Sequence, residues 1–168
     1  MYFRMISYSE IIKPEFLDIL LAHTPHKKEK LPEKLIVHSE KTLEYYHELS
    51  KKLHLLRVID NIVNPLFPKE YLPLIHEMIE CIIYCHDFGK INPIFQKEKM
   101  SNSFKFNVTD MILTSNHSFY GKILFDVIFS QYFFEKISKI DSEEKYRNRA
   151  INLLFLLFIL LLGVLGFW

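Results

Sequence analysis

Apolar residues recur at three- and four-residue spacing through three long stretches of the chain. The first stretch runs from about Glu33 to Val63, and charged residues occupy much of its other face. Its apolar positions are Leu35, Ile36, Leu43, Tyr46, Leu49, Leu53, Leu56, Ile59 and Val63. This spacing predicts one helix, because residues three and four apart share a helix face. Asn64-Pro65 and Pro68 end the pattern.

Two further helices are predicted by the same spacing. One runs from about Lys69 to Asp87, and the other begins at Asn116-His117-Ser118. The apolar stripe of the former is Leu72, Ile75, Met78, Ile79, Ile82 and Ile83, and that of the latter is Ile123, Leu124, Val127, Ile128, Phe133, Phe134 and Ile137. The first stripe widens towards its C-terminal half, so we expect that end to be buried. Residues 88–110 contain proline, serine and asparagine and are predicted to be irregular.

The two ends of the chain have different patterns. A short helix is predicted after Pro14, a residue that suits the first helical turn, and His23–Lys30 is interpreted as a solvated loop. A charged linker is expected over 141–149. Residues 151–168 then form a run that is apolar on every face through 162. It is either a membrane-spanning helix, with its preceding basic residues in the cytoplasm, or a core helix of an all-α domain.

Composition favours a single all-α domain. The 168 residues are 49% hydrophobic and include only four glycines, whereas a β-sandwich needs many tight turns. The net charge of +1 provides no general field for nucleic acid, so any such contact must be local. Cys81 and Cys85 are interpreted as buried free thiols, and the N-terminus lacks the apolar core of a signal peptide. Both observations favour a reducing cytoplasm.

The chemistry-bearing residues centre on His86-Asp87, at the predicted end of the second helix. Burying a carboxylate without a partner is costly, and a metal ion or another cation would relieve that cost. Imidazole nitrogen and carboxylate oxygen are suitable ligands for a divalent transition metal. His38 and His117 each fall near the start of a predicted helix, and Lys90 lies close enough in sequence to reach a bound anion. We therefore predict a metal site.

The remaining histidines receive simpler interpretations. His23 and His26 have a spacing that suits metal binding, but an intervening proline and neighbouring lysines favour a solvated loop. His47, His54 and His76 are interpreted as ordinary surface or core residues.

Three segments of the chain resemble the CRISPR-associated nucleases of the HD phosphohydrolase superfamily. They are His38-Ser39-Glu40-Lys41-Thr42, His86-Asp87-Phe88-Gly89-Lys90-Ile91-Asn92-Pro93-Ile94-Phe95-Gln96 and Asn116-His117-Ser118-Phe119-Tyr120-Gly121. The Asp-x-Gly-Lys-x-x-x-x-Phe-Gln continuation is the most specific part, and the resemblance covers about residues 20–129. It implies an HD-domain helical bundle that hydrolyses single-stranded DNA in the cytoplasm, with a CRISPR helicase and surveillance complex as partners.

The resemblance also implies roles for individual residues. His38, His86 and Asp87 would bind a first divalent metal, Asp87 would bridge towards a second, and His117 would help to hold that one. Asp87 and Lys90 would be the catalytic residues, with Lys90 contacting the scissile phosphate. The sequence does not distinguish Mn, Fe, Ni, Co and Mg, nor one ion from two.

The chain departs from the family pattern after His117. The family continues with two adjacent histidines and a later aspartate, whereas no histidine follows His117 here and Asp141 is the last aspartate. The apolar run at 151–162 resembles the helix that precedes the histidine pair. We therefore expect one HD domain over 1–168, incomplete at its C-terminus, and the phosphate-loop motif of a helicase is absent. Two alternatives stay open: an HD phosphohydrolase acting on nucleotides, and an inactive remnant with a membrane-associated C-terminal helix.

Overall fold

Helices dominate the computed structural model, which describes residues 7–24, 31–103, 115–140 and 142–165, with the side chains of the last helix described as far as 156. The helices of this part are α1 (Tyr8–Ile11), α2 (Pro14–Leu17), α3 (Leu35–Leu53), α4 (Leu55–Val63), α5 (Leu72–Tyr84), α6 (Pro93–Glu98), α7 (His117–Ser138) and α8 (Glu144–Leu165). Lys69–Tyr71 and Phe88–Ile91 are 3-10 turns. The predicted all-α class is confirmed, with one addition: strands β1 (Leu21–His23) and β2 (Glu33–Lys34) pair antiparallel.

Helix α5 lies at the centre of the described core. It contacts α3, α4, α7 and α8, and Ile75, Met78 and Ile82 are almost completely buried. Each such side chain contributes about 1.5–3 kcal/mol when fully buried. The predicted burial of the C-terminal half of this helix is confirmed. Cys81 and Cys85 are buried free thiols, as interpreted.

The predicted helix over 33–63 is in fact two helices. His54, with φ of 51°, adopts the left-handed conformation, and its N–H donates to the carbonyl of Ser50 to close α3. Helix α4 then starts directly at Leu55. Neither glycine nor proline marks this break, and the apolar spacing continues through it. The sequence pattern therefore does not reveal where α3 ends and α4 begins.

The chain around the His-Asp pair is more ordered than predicted. Helix α5 ends at Tyr84, so the predicted end at Asp87 was three residues too late. The irregular segment predicted from residue 88 is wrong over 88–98, which form a 3-10 turn and α6. Pro93 starts α6 rather than breaking a helix, and the Asn92 side chain accepts a hydrogen bond from the Ile94 N–H at 2.9 Å. Residues 104–110 of the predicted loop lie outside the described part.

The predictions for the two ends are partly corrected. Helix α2 begins at Pro14, as predicted, but it is short, and the apolar run after it becomes β1. The linker predicted over 141–149 is wrong from residue 144, where α8 begins. Ala150 and Leu154 of α8 are buried in the core. Within the described residues, none of the helices combines the length and the apolar character that crossing a bilayer requires.

Candidate metal centre

Three elements bring the predicted ligands together. His38 lies in the first turn of α3, and α3 packs on α5. His86 and Asp87 follow the end of α5, where the chain turns into the 3-10 segment that carries Lys90. His86 and Asp87 therefore face the start of α3 at the edge of the core.

The ligand atoms of His38, His86 and Asp87 form a nearly equilateral triangle. His38 Nε2 lies 3.3 Å from His86 Nε2 and 3.2 Å from Asp87 Oδ2, and His86 Nε2 lies 3.3 Å from Asp87 Oδ2. Two ligands bound to one cation at about 2.1 Å are about 3.0 Å apart at a right angle and about 3.4 Å apart at the tetrahedral angle. All three measured separations fall within this range, so the donor set fits a divalent transition metal.

Hydrogen bonds on the far side of each ring orient these nitrogens. His38 Nδ1 lies 3.2 Å from Glu33 Oε2, and His86 Nδ1 lies 2.8 Å from the carbonyl of Ile83. Both partners accept, so each Nδ1 donates, and a ring in its neutral form presents Nε2 without a proton. When both rings are neutral, their two lone pairs point at each other and at Asp87 Oδ2. Three converging acceptors repel unless a proton or a cation lies between them. In metalloproteins, carboxylates and backbone carbonyls on the far side of the ring, like those of Glu33 and Ile83, also orient metal-binding histidines.

Asp87 is stabilised as a carboxylate although it is only 6% exposed. Lys90 Nζ lies 2.7 Å from Asp87 Oδ2 and donates a second hydrogen bond, of 3.0 Å, to the carbonyl of Ala22. Burial acts to raise the pKa of Asp87, but its hydrogen bonds with the imidazoles of His38 and His86 and the charges of His86 and Lys90 outweigh burial and lower that pKa. Lys90 is therefore already engaged with Asp87, and its contact with a phosphate remains a prediction.

The imidazoles respond differently to this environment. Burial acts to lower the pKa of His86, but its hydrogen bond and charge interaction with Asp87 outweigh burial, and the pKa is raised. Burial lowers the pKa of His23, and the nearby charges of Lys90 and His38 act in the same direction. His86 consequently binds a proton more readily than His23 does, so a proton competes more strongly with a metal for the His86 nitrogen than for that of His23.

His117 lies next to this group but not within its triangle. Its ring packs on Phe95 with centroids 4.8 Å apart, and burial lowers its pKa while the charge of Asp87 opposes that effect. Helix α7 approaches the 3-10 turn so closely that a Cβ on Gly89 would lie 1.6 Å from the His117 carbonyl oxygen. The lack of a side chain at Gly89 therefore allows the start of α7 to lie this close to the 3-10 turn. The role of His117 at a second metal stays a prediction.

Sequence reasoning missed two residues of the centre. His23 was placed in a solvated loop, yet it ends β1, and its ligand atom lies with those of His38 and Asp87 in a group spanning at most 4.8 Å. The apolar run that precedes it is typical of a short strand and would have removed it from the loop. Glu33 bonds His38 and also accepts from Lys41 Nζ at 2.9 Å, and no pattern in the sequence marks it. His26 lies outside the described residues.

Histidines interpreted as ordinary residues lie elsewhere. His47 Nε2 is 3.0 Å from Glu80 Oε1, and His76 Nε2 is 2.7 Å from Asp60 Oδ1. Comparisons of the chain with protein-family models, with curated proteins and with solved structures find no match. The geometry of the centre and the motif resemblance are therefore the basis for a functional proposal.

Proposed function

We propose that the chain is a metal-dependent phosphodiesterase domain of the HD type that hydrolyses single-stranded DNA in a CRISPR defence system. The observation that carries the metal site is the convergence of three lone-pair-bearing atoms, from His38, His86 and Asp87, within 3.3 Å of one another. A bound divalent cation would satisfy all three atoms at once.

The residues of the centre have distinct tasks in this proposal. His38, His86 and Asp87 would hold the metal. A bound divalent metal lowers the pKa of a water ligand and neutralises charge on a phosphodiester. Glu33 keeps the His38 ring in the tautomer that exposes Nε2. Lys90 keeps Asp87 ionised and adds a positive charge beside the position where an anionic substrate would bind.

The donor set also narrows the metal. Two imidazoles and one carboxylate suit Mn, Fe, Co or Ni better than Mg, which prefers oxygen ligands. DNA as substrate, the helicase and surveillance complex as partners and the cytoplasm as compartment are proposed from the three motif segments, of which the segment from His86 to Gln96 is the most specific.

A direct test is cleavage of end-labelled single-stranded DNA by the purified chain with Mn²⁺. We expect cleavage that chelation abolishes and that His86→Ala and Asp87→Ala each reduce at least about 100-fold, as expected for loss of a metal ligand at a catalytic centre. His47→Ala is the matched control, since it removes an imidazole paired with a carboxylate outside the centre.

The other outcomes are equally informative. Hydrolysis of nucleotides without hydrolysis of DNA would replace the nuclease by another HD phosphohydrolase. Metal binding without hydrolysis of either substrate would indicate an inactive remnant. Absence of metal binding would refute the proposed site altogether.

A further inference from the structure

We propose that His23 is an additional ligand of the same metal and that Gln96 is the positioning residue that holds its strand against the centre. This inference rests on the proposed function, since it adds a residue to that metal site. It begins from β1, the strand that ends at His23.

The distances place His23 within reach of the metal. Its ligand atom, that of His38 and that of Asp87 all lie within 4.8 Å of one another. Two ligands on opposite sides of one cation are about 4.2 Å apart. The His23 ring meets the His38 ring edge to face, with centroids 4.6 Å apart. Separations of up to 4.8 Å exceed the span of two opposite ligands, so the His23 side chain must move closer to bind the metal. It is exposed rather than packed in the core, and is therefore free to rotate about its own bonds.

The backbone before His23 is bound to the segment that carries Asp87. The Leu21 N–H donates to Gln96 Oε1 at 2.9 Å, and Gln96 Nε2 donates to the Leu21 carbonyl at 2.8 Å. The same Nε2 donates to the Lys90 carbonyl at 2.7 Å, and Lys90 Nζ donates to the Ala22 carbonyl. Gln96 thus joins β1 to the 3-10 turn and is completely buried.

This arrangement lowers the entropic cost of binding the metal through His23. A histidine on a mobile loop would lose backbone freedom on binding metal, whereas β1 is already held by two side chains of the site segment. Asn102 Nδ2 supports the clamp by donating to Gln96 Oε1 at 2.8 Å. The two residues that hold β1, Lys90 and Gln96, lie in the same motif segment as the His-Asp pair.

The test is titration of the full chain with Co²⁺, followed by the visible absorption of the bound ion, which reports its ligands. We expect His23→Ala to raise the dissociation constant for Co²⁺ at least about tenfold and to change the absorption spectrum. Thermal unfolding of the metal-free protein should stay unchanged, because the His23 side chain is exposed. His47→Ala, the control, should leave affinity and spectrum as in wild type.

The outcomes separate this inference from the proposed function. If wild type binds Co²⁺, His38→Ala weakens binding and His23→Ala changes neither affinity nor spectrum, His23 is not a ligand and the three-residue site stands. If wild type binds no Co²⁺, the proposed function itself fails.

A double-mutant cycle tests the positioning role. Gln96→Met keeps about the size of the side chain, adds no charge and removes its hydrogen bonds to Leu21, so affinity should fall. Added to His23→Ala, it should cause no further loss, because Gln96 acts through His23. If the fold-losses in affinity of the two single variants multiply in the double variant, Gln96 does not act through His23 and its positioning role is refuted. Asn102→Ala provides the same cycle with a milder change if Gln96→Met does not fold.

Discussion

Gly89→Ala places a side chain where the packing around the centre leaves no room. A Cβ at this position would lie 1.6 Å from the carbonyl oxygen of His117 and 2.5 Å from the backbone nitrogen of Gly121. Both neighbours are backbone atoms of α7, so no side-chain rotation relieves the clash. The 3-10 turn and the first turns of α7 would have to separate by at least about 1.4 Å to bring the contact to 3.0 Å.

The energetic cost follows from what that separation breaks. Overpacking of a core costs about 1–3 kcal/mol when side chains can adjust, and a backbone clash belongs at or above the upper limit. We therefore expect Gly89→Ala to lower the free energy of unfolding by about 3 kcal/mol or more. For a chain of this size, that corresponds to a fall in Tm of about 6–12 °C.

The assay is thermal and urea unfolding of the metal-free protein by circular dichroism, with Lys97→Ala on the exposed face of α6 as control. A Tm for Gly89→Ala within about 2 °C of wild type would refute the close approach of α7. The same variant should lose metal-dependent activity if His117 acts at the centre, because its helix must move away from Asp87.

Three further predictions concern the charges around the site and the core. Glu33→Gln removes the charged acceptor of His38 and should weaken metal binding about 10- to 100-fold by calorimetry, with little change in unfolding. Burial acts to raise the pKa of Asp87, but the imidazoles of His38 and His86 and the charge of Lys90 lower it below its ordinary value of 3.8. The carboxylate therefore stabilises the fold above pH 3.8, and this contribution is lost as the pH falls. Between pH 5 and pH 3, urea unfolding should therefore show about 1 kcal/mol more loss of stability in wild type than in Asp87→Asn. Lys136→Met leaves Glu77, 4% exposed, without the ammonium 2.6 Å from its Oε2, and should lower stability by about 3 kcal/mol in urea unfolding.

Each of these predictions has a contrary result. Equal metal affinity in Glu33→Gln and in the exposed control Glu44→Gln would mean that His38 needs no orienting carboxylate. Parallel pH profiles for wild type and Asp87→Asn would mean that Asp87 is not specially stabilised. A loss in Lys136→Met no larger than in the exposed control Lys139→Met would show that the Tyr132 hydroxyl, the other partner of Glu77, satisfies the carboxylate alone.

The sequence predicted the long helices well and their ends poorly. The stripes of α5 and α7 are strong because many apolar residues share one face, and tertiary burial enforces that pattern. The position of a helix end depends on single residues, and the effect of such a residue varies with its surroundings. His54 breaks a helix without being glycine or proline, and Pro93 starts a helix although proline was interpreted as a sign of irregular structure.

Only part of the site was available to sequence reasoning. His38, His86, Asp87 and Lys90 were selected because their residue types and their places at helix ends suited metal chemistry, and the structure brings them into contact. His23 could not be selected in this way, because its approach depends on how β1 is held.

The sequence by itself determined the helical class, the buried end of α5 and the residue types at the centre, because periodicity and burial cost are local properties of the chain. Tertiary structure alone decided which of those residues share one point in space. The 3.3 Å contact between His38 and His86 joins residues 48 positions apart, and it exists because α3 packs on α5. The narrow gap at Gly89 likewise depends on the approach of α7, which no local pattern encodes.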